Sequence, residues 1–141
     1  MNKKLMTAAA TILLATTLTA QAGGTGRGVD TTLATRPGAF VSQGSVKMRL
    51  ESLMGLVNAR FLQKNFGTVS TLQNSGGVVA VTGCRPHACA SNGSLVLYDR
   101  QHDAFNVWLT VNDKTRVFQD KAFVMPANLN SDVRASIENM P

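Results

Sequence analysis

The hydrophobic period of this chain changes once, at Gly67, and that change sets the fold class. Before it, Val46, Leu50, Leu53, Met54, Val57 and Phe61 recur at three- and four-residue steps, with Lys47, Arg49, Glu51 and Arg60 between them. A stripe with that spacing is one face of an α-helix. Ser45 is placed to cap its start and Gly67 to stop it. After Gly67 the apolar residues come in short β-branched or aromatic segments, over residues 69–72, 78–82, 95–98, 104–111 and 116–118. Turn-forming clusters separate them: Asn74-Ser75-Gly76-Gly77, Ser91-Asn92-Gly93 and Gln101-His102-Asp103. Such closely spaced strands pair as an antiparallel meander, because a parallel pair needs a long crossover between its members. In the fourth segment Phe105, Val107, Leu109 and Val111 share one face, and Asn106, Trp108 and Thr110 the other. Asn130 or Ser131 then caps a short closing helix through Val133 and Ile137. The expected architecture is α+β: a helix, an antiparallel sheet of about five strands, and a C-terminal helix.

The first residues belong to transport and not to that fold. Lys3 and Lys4 precede an uncharged run over residues 5–18, and Ala20-Gln21-Ala22 supplies the small residues that a signal peptidase reads. The run is too short to span a bilayer, and glycine-rich sequence follows it in place of a stop-transfer pattern. Residues 1–22 are therefore expected to be a cleavable signal peptide, with a bacterial periplasm as the destination. Removing Lys3 and Lys4 takes no acid with it, so the net charge falls from +6 to +4. The remaining cations are scattered, with no run that would track a phosphate backbone, so nucleic acid is not an expected partner. Residues 23–44 carry six glycines and Pro37 without a hydrophobic period, and read as a flexible lead-in to a single domain over 45–141.

Export governs how the two cysteines are read. In an oxidising compartment a disulfide between Cys84 and Cys89 is the default state. A ring so small restricts the unfolded chain by only about 2 kcal/mol. Its larger effect is local, because it stiffens the segment Gly83-Cys84-Arg85-Pro86-His87-Ala88-Cys89 at the tip of a strand hairpin, where Pro86 fixes a further dihedral. A loop held rigid beforehand loses less entropy on docking. What it presents is one imidazole beside one guanidinium, both able to donate to carboxylates. Other chemistries remain open at this point. Cys84, His87 and Cys89 could serve a periplasmic thiol or metal protein, although three ligands make an incomplete zinc site and a thiol oxidoreductase normally has two residues between its cysteines. Haem attachment requires a histidine directly after the second cysteine, where Ala90 stands. The plain structural alternative is a disulfide that tidies a surface loop.

The loop resembles the signature of the Ivy family, inhibitors of vertebrate (c-type) lysozyme from Gram-negative bacteria, in which Cys-Lys-Pro-His-Asp-Cys joins two strands. Cys84, Pro86, His87 and Cys89 match it, Arg85 replaces the lysine conservatively, and Ala88 stands where the family has aspartate. The likeness extends more loosely over residues 45–120. It implies a non-catalytic inhibitor without cofactor or metal, whose loop residues Arg85, Pro86, His87 and Ala88 enter the cleft of a muramidase. His87 would hydrogen-bond the two catalytic carboxylates, and Cys84 and Cys89 would hold the loop. Partners implied are a c-type lysozyme, a related muramidase or one of the cell's own lytic transglycosylases, together with a homodimer as found for some members. The missing aspartate and the positive net charge turn the expectation toward targets less basic than c-type lysozymes. Outside the loop, His102 reads as a solvated turn histidine. Trp108 and Tyr98 are assigned to the outer sheet face, open to a partner or packed under the terminal helix.

Overall fold

The computed structural model describes residues 28–72 and 76–140; the expected signal peptide lies outside them. A 3-10 helix at Thr31–Thr35 leads into α1 (Pro37–Ser42), α2 (Gly44–Met54) and α3 (Leu56–Asn65). Five strands follow, β1 (Thr68–Thr71), β2 (Val78–Cys84), β3 (Gly93–Asp99), β4 (Ala104–Val111) and β5 (Lys114–Gln119), and then α4 (Ser131–Glu138). The sheet runs in the order β1-β2-β3-β4-β5 with every pair antiparallel, which is the expected α+β meander.

Both faces of the sheet are covered. On one, α1 to α3 pack Phe40, Val41, Val46, Leu50 and Leu62 against Val79, Val81, Val96, Tyr98, Phe105, Val107 and Leu109. On the other, Phe123 and Val133 of the C-terminal segment close over Val78, Ala80, Leu95 and Leu97, with Trp108 and Ile137 at the margin. Asn130 caps α4 by accepting from the N–H groups of Asp132 (2.8 Å) and Val133 (3.2 Å). Trp108 thus packs beside the terminal helix. Tyr98, however, pairs with Phe105 across the ladder and lies on the opposite face, fully buried. Because Leu95-Val96-Leu97-Tyr98 is apolar throughout, alternation could not assign its faces.

Three helical expectations are corrected. Residues 31–42 do not form a loose lead-in: Ala34, Phe40 and Val41 enter the core, and Gln43 holds the segment by accepting from Asp30 N (2.8 Å) and donating to Asp30 O (3.1 Å). The helix expected from Ser45 to Gly67 is two helices, broken at Gly55, whose φ of +81° is one that a side chain would resist. The break rotates the second half, so Val57 points outward (66% exposed) while Ala59, Leu62 and Asn65 turn inward. Ser45 does not cap α2 but sits inside it, its hydroxyl donating to the carbonyl of Gly28.

Candidate functional site

Strand β2 lies between β1 and β3, so its last residue, Cys84, is held on both sides: opposite Thr68 in one ladder and opposite Gly93 in the other. Beyond it the chain forms a tight turn in which Ala88 N donates to Arg85 O (3.0 Å). Pro86 occupies the second position, where its ring fixes φ near −65°, and His87 the third, with φ +62°. Proline followed by a positive φ is the arrangement of a type II turn. Histidine tolerates that left-handed conformation better than most side chains, at a cost of about 1–2 kcal/mol.

The Cys84–Cys89 disulfide, with Cα atoms 4.8 Å apart, closes the ring behind the turn. Both sulfurs are bonded to each other, so neither is a thiolate for metal binding or nucleophilic attack. Within the ring, Pro86 and His87 are exposed, whereas Arg85 and Ala88 are half-buried. The His87 imidazole makes no hydrogen bond among the described residues. Arg85 differs from its expected presentation: its Nε and Nη2 are enclosed and find no acceptor among the described residues.

The loop is seated as well as closed. Gly67 lies directly under Pro86, where a Cβ would fall 2.6 Å from Pro86 Cδ and 2.8 Å from Cγ. Gly83 lies against the end of α3, where a Cβ would fall 2.7 Å from Asn65 O. Asn65 itself is fully buried and donates to Gly93 O (2.9 Å) and Thr110 O (3.1 Å), which ties α3 to β3 and β4 at the loop's base. These two carbonyls dictate which way the amide points. The rear of the loop is joined to the β4–β5 turn, since Arg85 N donates to Asn92 O (3.0 Å), Asp113 N to Ser91 O (3.0 Å) and Asn112 N to Asn92 Oδ1 (3.3 Å). Asn112 and Asp113 both have positive φ, as a two-residue type I′ hairpin requires.

Asn65, Gly67 and Asn92 support the loop, a role that the local sequence assigns to none of them. For Asn65 a signal existed, since a polar residue three positions after Leu62 falls on the helix's apolar stripe. Gly67 signals only a helix stop in the local sequence, and its contact with Pro86 joins distant parts of the chain. His102 is not merely solvated: its Nδ1 lies 2.6 Å from Oδ2 of Asp99, a residue only 5% exposed. Burial works to raise the Asp99 carboxyl. Hydrogen bonds from the His102 ring and from the N–H groups of His102 and Gln101 outweigh that and hold it below its usual range.

A small α+β protein whose exposed functional groups ride on a closed, pre-shaped loop is the class that fold and site define. Residues 45–141 match the family model described as inhibitor of vertebrate lysozyme (Ivy), and the chain belongs to that family. No curated protein and no solved structure matches it. Membership implies lysozyme inhibition. Among the described residues no helix is long and apolar enough to cross a membrane.

Proposed function

We propose that this chain is a periplasmic inhibitor of lysozyme-like muramidases that blocks the catalytic cleft with the Cys84–Cys89 loop, His87 foremost. The observation that carries this reading is His87 itself, exposed at the apex of a turn fixed by Pro86, by the disulfide and by the seat on Gly67. A muramidase of this kind uses a protonated acid and an ionised carboxylate on either side of the scissile bond. A neutral imidazole has one acceptor and one N–H donor, a match for one carboxylic acid and one carboxylate. Placed between them, it fills the sugar's position and engages both groups. Pre-shaping the loop reduces the entropy lost on insertion. The half-buried Arg85 acts here as part of the loop's base, with Pro86 and Ala88 forming the flanks that pass the cleft walls.

A second reading, regulation of the cell's own lytic transglycosylases, is favoured by Ala88. Where the family signature has an acid, this loop offers a methyl group and keeps a wholly non-acidic tip. Such a tip loses an attractive contact with a basic enzyme and none with an acidic one.

The test is inhibition of a c-type lysozyme and of a lytic transglycosylase by the purified exported protein, before and after reduction of the disulfide. Inhibition of either that disappears on reduction supports the loop. Inhibition indifferent to reduction would sink the loop mechanism, and its absence against both enzymes would sink the function.

A further inference from the structure

The inner face of β5 carries the wrong residues for a core. Arg116 pairs with Leu109 and Lys114 with Val111, so both cations stand on the face where α1 to α3 pack, and where Leu109 is 1% exposed. One step further along the strand, at the same parity, Phe118 packs against that core as the pattern demands. Toward the loop end, therefore, the edge strand changes from aromatic to cationic. The change leaves a cavity of ≈ 250 Å³ between α3 and the β4–β5 hairpin, lined by Asn58, Phe61, Val111, Asn112, Lys114 and Arg116 among others.

The notch has a consistent chemistry. Its two cations are Lys114 and Arg116, and neither α3 nor β5, the elements that flank it, contains an Asp or Glu. Neither cation forms an ion pair among the described residues. Phe61 supplies an apolar wall, and Asn58 and Asn112 contribute amides. Asp113, the neighbouring acid, lies in the exposed turn and does not line the cavity. The volume is below the roughly 300–1,000 Å³ of small-molecule sites and suits a single side chain. Its position is equally specific: Asn112, on the rim, donates its backbone N–H to Asn92 at the base of the inhibitory loop, so notch and loop share one end of the molecule.

We propose that this notch is a second contact site for the target enzyme, receiving an acidic side chain from the rim of the cleft that the loop enters. The proposal rests on the inhibitor reading above and sharpens it, because it selects a muramidase with an acidic cleft rim over a strongly basic one. The occupant's aliphatic stem lies along Phe61 and its carboxylate faces Lys114 and Arg116. The competing explanation is that inward-facing cations only keep an exposed edge strand from pairing with other chains.

The experiment compares the exported protein with the K114Q/R116Q double variant and with H87A. It measures binding to an acidic muramidase and to a basic c-type lysozyme over a range of salt, together with inhibition and self-association. The expected result is tighter binding to the acidic enzyme, weakened at least about tenfold by K114Q/R116Q, with a flatter salt dependence. H87A should weaken inhibition roughly thirtyfold and keep the salt dependence. Unchanged affinity in K114Q/R116Q overturns the notch, and if H87A still weakens inhibition the loop reading stands without it. Self-association of the double variant at unchanged affinity assigns the cations to edge protection instead. Full inhibition by H87A beside weakened binding by K114Q/R116Q removes the loop mechanism and leaves the notch. Binding of neither enzyme by the unaltered protein overturns both.

Discussion

At the end of the sheet where β3 turns into β4, the charged groups face one another. Arg49 of α2 reaches across to the side chain and backbone of Asp103, lies 3.7 Å from Asp120, and sits over the Phe105 ring at 4.7 Å. Tyr98 donates to Asp103 at 2.8 Å, His102 pairs with Asp99, and Phe40 of α1 packs its ring 6.5 Å from that of Tyr98. At the opposite end, Arg85, His87, Lys114 and Arg116 have no ionic partner among the described residues. There the hydrogen-bonded side chains are neutral, the amides of Asn65 and Asn92 and the hydroxyls of Thr82 and Thr110 among them, and the two amides hold backbone in place. The far end uses charge internally, to dock helices onto the sheet. The loop end ties its backbone down with neutral amides and leaves His87, Lys114 and Arg116 exposed and without an ion pair among the described residues. Burial explains the Tyr98 hydroxyl in the same terms: desolvation, and then its hydrogen bond to the Asp103 carboxylate, raise its pKa strongly even though Arg49 opposes them.

This division predicts that stability and inhibition respond to different residues. Phe40→Ala, which empties a fully buried site against Tyr98, should reduce unfolding free energy by about 3–5 kcal/mol in a denaturant titration. Inhibition under native conditions should persist. A loss well below 1 kcal/mol would return residues 31–42 to the status of a lead-in. His87→Ala reverses the pattern, with inhibition weakened by about 2 kcal/mol, or roughly thirtyfold, and an unfolding curve that moves by less than about 0.5 kcal/mol. Equal effects on both quantities would dissolve the contrast between the ends. Gly67→Ala tests the seat: the new methyl must displace Pro86, and inhibition should fall by on the order of 1 kcal/mol without contact between residue 67 and the enzyme. An inhibition constant identical to the parent's would mean that the disulfide alone shapes the loop. The smallest effect belongs to Asp99. Its carboxyl is held below its ordinary value in the fold, so its contribution is complete above the unfolded carboxylate's pKa of about 3.9 and disappears as pH falls through the folded value. Because His102 is well exposed, the amount should be under about 1 kcal/mol. Asp99→Asn should flatten acid unfolding below about pH 4 and leave inhibition at neutral pH unchanged.

Much of the sheet was readable because its signals are local. The turns at Ser91-Asn92-Gly93 and Gln101-His102-Asp103, the facing of Phe105, Val107 and Leu109, and the Asn130 cap each depend on neighbouring residues, and each appears where expected. The candidate loop was readable for the same reason, since the Cys84-to-Cys89 ring and Pro86 lie within six residues. Its support was not. Residues 37–42 are too few to display a helical period, yet they bury Phe40 and Val41 completely, because the sheet's inner face needs covering beyond what α2 and α3 reach. Gly55 interrupts a stripe that continues through it on paper, and only packing decides whether a glycine bends a helix or is carried along.

The sequence by itself determined the α+β order, the meander and the chemistry of a disulfide-closed Pro86-His87 loop, since period, turn residues and cysteine spacing act over a few bonds. Tertiary structure decided which face Tyr98 takes, that His102 meets Asp99, that Pro86 rests on Gly67, and that Lys114 and Arg116 border a notch beside the loop. Each of these joins groups through space, and their outcome depends on strand register and on how far the helices extend over the sheet, quantities that no short stretch of the chain contains.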